Sequence, residues 1–308
     1  MRSHRSRWSS AVWPSLVALL AALLWGSHID AQEDLRLIHS ERSQYRQVLV
    51  YENADLRCLC FTRMCAIGRQ SCLDKRTPDR LVFEYTHMML GALFLRPDPH
   101  DILIIGLGGG TLAHTLERLL PQAQIDVVEI DPAVLRVAQQ YFSFQPDEHV
   151  HVIIEDGRAY VRRMLRGNKR YQLIMLDAYE RQYIPEHMLT REFLTEVRTL
   201  LVPDGIVAAN TFSSSRLYQN ESVTYHAVFG SFYNLKSNNR VILASNGTLP
   251  TLDEVSSNSR AFNDAFRPFG LTPASVLTLF STRIDWNPNA RVLTDQYSPA
   301  NLLNSRGF

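Results

Sequence analysis

Excess charge of either sign is missing from this 308-residue chain: 32 Lys and Arg stand against 31 Asp and Glu, a formal net charge of +1. No overall field therefore draws it to a polyanion, and no basic run with interleaved aromatics occurs beyond the first ten residues. Nucleic acid is thus not an expected partner. Internal repeats are absent as well, and so is a serine-hydrolase signature, because Ser213-Ser-Ser215 has no elbow glycines around it. Cysteine is scarce. The four residues Cys58, Cys60, Cys65 and Cys72 lie within 15 positions, and none occurs elsewhere. What remains is a globular composition, 45% hydrophobic and 20% charged. It suffices for one large α/β domain, or one domain with a small appendage.

The N-terminus carries the first strong signal. Arg2, His4, Arg5 and Arg7 precede a largely apolar run from Ala11 to Trp25. A basic segment followed by an apolar one of this length is the pattern of a secretory leader. The run is short for a membrane span, which needs about 20 apolar residues, and Pro14 disturbs its start. Residues 1–31 are therefore expected to be a signal peptide cleaved after Ala31, or an uncleaved anchor giving membrane association. Either leaves the remainder outside the cytoplasm, because the positive flank stays inside. The expected location is exported: periplasmic, or anchored and facing the periplasm. In such an oxidising space four cysteines default to two disulfides, with three possible pairings. Zinc is the rival, but the spacing C-x-C-x4-C-x6-C lacks C-x-x-C knuckles and encloses no histidine. No metal site is expected.

Residues 32–83 read as a small β-rich region holding the cysteine cluster, with strands at Gln47–Tyr51 and Arg57–Phe61. A helix is expected over Arg80–Leu95, from Leu81, Tyr85, Met88, Met89 and Ala92 at spacings of three and four. Residues 84–308 then form the main domain. Apolar runs at Ile102–Ile105, Ile125–Ile130, Val150–Ile154, Tyr171–Leu176 and Ile206–Asn210 alternate with helical stretches. This is the pattern of a Rossmann-like, doubly wound, mainly parallel α/β sheet. Arg240–Ser245 and Arg291–Leu293 are expected as late strands, with a polar loop over 246–260.

In such a sheet ligands sit beyond the carboxyl ends of the strands, and four candidate groups fall there. Gly106, Gly108 and Gly110 form a loop whose backbone can approach a ligand at a helix start, although glycine also serves merely to turn. Glu129 ends the second strand, where a carboxylate can accept both hydroxyls of a ribose. Asp131, just before Pro132, fits a helix cap better than Glu129 does. Asp156, with Gly157, ends the third strand and can accept from the exocyclic amine of adenine, or simply cap the next helix. Asp177 ends the fourth, nearest the reactive end of a ligand, where it can deprotonate an amine or stabilise a cation. Nothing beyond that strand suggests hydride transfer. The order points to an adenosine-type ligand, of the S-adenosylmethionine kind, rather than to a dinucleotide.

On these residues the chain resembles the polyamine aminopropyltransferase (spermidine synthase) family, in particular its divergent membrane-associated or exported branch. The matching segments are Ile104-Ile-Gly-Leu-Gly-Gly-Gly110, Val128-Glu-Ile-Asp-Pro132, Glu155-Asp-Gly157, Leu176-Asp-Ala-Tyr179, Ile184–Phe193, Leu201-Val-Pro-Asp-Gly205 and Leu293–Pro299. The resemblance implies a class I methyltransferase-like fold and no prosthetic group. It implies transfer of an aminopropyl group from decarboxylated S-adenosylmethionine, as co-substrate, to a small diamine such as putrescine, commonly by a homodimer. Glu129 would hold the ribose and Asp156 the adenine amine; Asp177 and Glu180 would be catalytic. Tyr85, His87 and Tyr179 would bind the acceptor. Two positions depart from the family pattern. Gly109 stands where an acid usually grips the donor's aminopropyl amine, and Glu180 replaces the second aspartate of D-x-x-D. An S-adenosylmethionine-dependent methyltransferase and a non-catalytic polyamine or nucleoside binder are the alternatives on the same scaffold.

Overall fold

The computed structural model describes residues 35–178, 184–213 and 217–305. The leader over 1–31, Tyr179 and Glu180 lie outside them. From Arg36 on, the chain builds two sheets. The first is an antiparallel meander of β1 (Arg36–Arg42), β2 (Gln47–Glu52), β3 (Leu56–Cys60) and β4 (Arg69–Asp74), neighbours in that order. The Asn53 side chain sets the β2–β3 turn by accepting from the backbone N–H groups of Asp55 and Leu56. Cys58 lies directly opposite Cys72 and is bonded to it, while Cys60 is bonded to Cys65. One of the three pairings is thereby selected, and no sulfur is left for zinc.

The second sheet has β5 (Asp101–Ile105), β6 (Gln124–Glu129), β7 (Val150–Ile154), β8 (Tyr171–Leu176), β9 (Leu201–Phe212), β10 (Phe232–Lys236) and β11 (Asn239–Ser245). Its order is β10-β11-β9-β8-β5-β6-β7. The strands from β5 to β9 are parallel, and β11 runs antiparallel between β9 and β10. The unbroken apolar run of β5 follows from burial on both faces. Ile102 and Ile104 pack in one core with Leu116 and Val134; Leu103 and Ile105 pack in the other with Tyr160 and Phe193. The chain winds outward from β5 in both directions, through β6 on one side and β8 on the other, which opens a crevice at their carboxyl ends.

The later part of the chain differs from expectation in three places. Arg291–Leu293 is not a strand: the Leu293 N–H donates to Thr224 Oγ1, and its carbonyl accepts from the Arg191 N–H. Its backbone groups are satisfied by a mid-helix threonine side chain and by the start of the helix Arg191–Leu200, and the sheet is completed on that side by the β10–β11 hairpin. The polar stretch 246–260 contains a helix, Leu252–Ser259, started by a reciprocal cap between Thr251 and Glu254. The third departure is a helix, Leu217–Phe229, with no apolar periodicity to mark it because its buried face also carries Glu221, Ser222 and Thr224. Glu221 and Ser222 face Arg240 of β11, fully buried, which donates to Asn234 Oδ1 (2.7 Å) and Ser222 Oγ (2.8 Å) and lies over the Tyr218 ring. Glu221 stands 4.0 Å from Arg240, and burial pushes its carboxyl up to about 7.

The Cys58–Cys72 bond closes a 14-residue separation across the first sheet. Replacing both cysteines by serine is expected to cost about 2–4 kcal/mol of stability, read as a lower urea midpoint. An unchanged midpoint would show that the bond does not form.

Candidate active site

The site begins where β5 stops. Gly106 has φ +105°, and a Cβ there would sit 2.2 Å from the Asp177 carbonyl oxygen. Only glycine can pass the end of β8 at this distance. The Gly106 N–H donates to the Val128 carbonyl and the Asp177 N–H to the Ile105 carbonyl, each at 2.8 Å. The ends of β6, β5 and β8 are thus tied side by side. Gly108 and Gly110 also have positive φ, and the loop runs into the helix Thr111–Leu119. Gly109 is different. A Cβ there would lie 2.7 Å from Ser71 Oγ, a hydroxyl supplied by β4, which pairs at 3.1 Å with Thr111 Oγ1.

Glu129 closes β6 and is clamped from two directions. Its Oε2 accepts from the Leu107 N–H of the glycine loop (3.1 Å) and its Oε1 from the Asp131 N–H (2.9 Å). Burial raises its carboxyl, and these two amides oppose that rise. Asp131 is the helix cap expected of it, accepting from the Ala133 N–H, and it also accepts from Ser43 in the turn between β1 and β2. Asp156 caps its helix too: Oδ1 accepts from the Ala159 N–H at 2.9 Å. Its Oδ2 accepts from His187 Nε2 at 3.0 Å, and His187 is the main cause holding this carboxyl below its ordinary value.

Asp177, just past β8, is arranged otherwise. Among the described residues its partners are side chains: Asn210 Nδ2 donates to Oδ1 (2.9 Å) and the Tyr85 hydroxyl donates to Oδ2 (3.2 Å). Desolvation by the surrounding protein pushes the carboxyl up to about 7, against both hydrogen bonds. The Tyr85 hydroxyl is itself raised well above its usual range, by burial first and then by the neighbouring carboxylate. Asn210 is held in turn by Asn239, whose Nδ2 donates to Asn210 Oδ1 (3.3 Å). A carboxyl poised near neutrality and fixed by neutral donors can accept a proton from an amine.

The structure therefore gathers Gly106, Glu129, Asp156 and Asp177 along one edge of the sheet, with Tyr85 reaching Asp177 from the helix Glu84–Leu90. His87 is not part of this group; its Nε2 lies 3.3 Å from the Leu81 carbonyl, and burial lowers its pKa. Sequence reasoning did not single out Asn210, His187 or Ser71. Asn210 had a signal, being the last residue of the expected fifth strand, and His187 lies in a quoted segment. Ser71 had none, because its place depends on how the first sheet packs. Among the described residues no group of three His, Cys, Asp or Glu could hold a metal ion.

Comparison with known proteins bears on the family and the fold. The spermine/spermidine synthase domain model matches residues 82–253. A polyamine aminopropyltransferase of Vibrio vulnificus is 43% identical over 293 residues, covering 94% of this chain and 97% of that one. A probable spermidine synthase from Corynebacterium glutamicum shares the fold, with a TM-score of 0.62 over 82% of this chain and 98% of that one at 17% identity. Human methyltransferase-like protein 13, in complex with SAH, gives a TM-score of 0.55 at 25% identity over 60% of this chain and 93% of that one. With a family model over more than half its length and a relative matched nearly end to end, the chain belongs to the spermine/spermidine synthase family.

Proposed function

We propose that this protein is a polyamine aminopropyltransferase that moves an aminopropyl group from decarboxylated S-adenosylmethionine to a small diamine such as putrescine. The observation that carries the reading is Asp177: a carboxyl raised to about 7, fixed by Asn210 and Tyr85, beside the glycine loop. Family membership and the near end-to-end match to a polyamine aminopropyltransferase support the substrate class.

The reaction follows from these placements. Glu129 keeps lone pairs beyond its two amide contacts for the ribose hydroxyls, and Asp156 does the same for the adenine amine. The diamine arrives protonated at neutral pH. Asp177 takes one proton and frees a nitrogen lone pair, which attacks the aminopropyl carbon next to the sulfonium. The C–N bond forms as the C–S bond breaks, and its electrons neutralise sulfur, leaving methylthioadenosine. Alignment of the two reactants and this proton transfer supply the catalysis.

The same proposal includes export, supported by the leader pattern of residues 1–31 and by the two disulfides, and the homodimer that the family resemblance implied. Among the described residues, no helix is long and apolar enough to cross a membrane.

Incubation with decarboxylated S-adenosylmethionine and putrescine should give spermidine by mass spectrometry. A methylated product from S-adenosylmethionine, with no spermidine, would replace this reading by the methyltransferase one. Asp177→Asn should lower kcat about 100- to 10,000-fold. The wild-type kcat should rise with pH up to about 7 and level off above it, as Asp177 ionises.

The raised carboxyl also has a stability consequence. Unfolded, Asp177 titrates near pH 3.9, so ionising it in the fold is unfavourable. The penalty is absent well below that pH, grows as pH rises, and is complete above about 7. Asp177→Asn should therefore raise the melting temperature more at about pH 8 than at about pH 5; an equal gain at both would show that the carboxyl is not shifted. Residues 1–31 fused to a reporter that is active only after export should yield activity, and a silent fusion would remove the export reading.

A further inference from the structure

Asp156 is the carboxylate placed to meet the donor's base, yet in this structure it already holds a second side chain. His187 Nε2 lies 3.0 Å from Oδ2, while Oδ1 is occupied by the Ala159 N–H. A carboxylate offers about four lone-pair positions, so two contacts leave two. The Ala159 cap alone fixes one oxygen. His187 fixes the other.

The turn carrying His187 is itself pinned. Arg158, two residues beyond Asp156, is buried and donates to the His187 carbonyl at 2.9 Å. The same guanidinium forks onto Glu196 (2.9 and 3.1 Å) and onto Asp295 (2.6 and 2.8 Å). Asp295 also accepts from Thr190 at 2.7 Å, so both ends of the segment are tied to one ionic knot. Next to His187, Met188 closes on the turn at Asp156-Gly157: a Cβ on Gly157 would lie 3.1 Å from its methyl carbon. The imidazole is therefore delivered to Asp156 by a held backbone. The ring remains partly open to solvent.

Resting on the nucleoside reading above, we propose that His187 is a positioning residue. It holds the Asp156 carboxylate toward the 6-amino group of the donor's purine, and so lets the site distinguish a 6-amino from a 6-oxo base. A 6-amino group donates to a fixed carboxylate. A 6-oxo group presents an acceptor to it, and a carboxylate that cannot turn away rejects that pairing.

The test uses the full chain and two nucleosides, methylthioadenosine and its 6-oxo counterpart methylthioinosine, in titration calorimetry. Expected for His187→Ala is a methylthioadenosine affinity about 3- to 10-fold weaker, with preference over methylthioinosine shrinking by a similar factor. In kinetics the donor KM should rise while kcat and the diamine KM stay unchanged. His187→Gln, whose amide can donate to the same oxygen, should recover most of the loss. Wild-type affinity and preference in His187→Ala would overturn the proposal, as would equal weakening for both nucleosides, which a merely structural role predicts. Asp156→Asn separates this from failure of the underlying reading. If it weakens methylthioadenosine while His187→Ala does not, the nucleoside site stands and only the role of His187 falls. If the wild type binds neither nucleoside, both fall together.

Discussion

The close passage of the Gly106 backbone against the Asp177 carbonyl is the constraint from which the site follows. Parallel neighbours β5 and β8 end at the same height, and the chain leaving β5 must cross the chain leaving β8 with no side chain between them. Lateral hydrogen bonds from Gly106 to Val128 and from Asp177 to Ile105 then lock three strand ends into one row. The carboxylates at those ends inherit fixed spacing from the sheet rather than from contacts with each other. A larger residue at 106 would separate the strands and disperse the row.

Along that row the fold treats three carboxylates in three ways. Glu129 is held by two backbone amides, which together with the nearby Arg46 cation oppose the rise that burial imposes. Asp156 has one amide and one imidazole, and is held low. Asp177 meets, among the described residues, an amide side chain and a phenol, neither of them charged, in a desolvated setting, and it rises to about 7. Backbone and ionic partners suit groups that must stay ionised and bind; neutral side-chain partners suit one that must exchange a proton. The division of labour is thus a matter of which donors each strand end receives.

Much of this was legible in the chain itself. Continuous apolar runs separated by helical stretches specify a parallel sheet covered on both faces, and the acids at strand ends stand out because such positions are otherwise apolar or glycine. Legibility failed where burial was polar. The helix Leu217–Phe229 buries Glu221 and Ser222 against Arg240 and Thr224 against the Leu293 N–H, so no apolar stripe marks it. The strand expected at Arg291–Leu293 had suitable residues, but the Leu293 backbone is taken up by Thr224 and Arg191 of two helices, and the β10–β11 hairpin extends the sheet past β9 instead. Tyr85 and His87 are two residues apart on one helix, and only packing decides that the first meets Asp177 and the second the Leu81 carbonyl. Ser71 and His187 reach the site through contacts made far along the chain, which no local pattern encodes.

The contact between Ser71 and the glycine loop has a bearing on how this lineage could change. An acidic side chain at position 109, as the family resemblance would have it, cannot simply be introduced, because its first carbon would fall 2.7 Å from a hydroxyl belonging to the cystine-braced sheet. Position 71 would have to shrink or shift first, and doing so alone forfeits the pairing with Thr111. Positions 71 and 109 are therefore sterically coupled: a side chain at 109 requires the Ser71 hydroxyl to move away from Thr111.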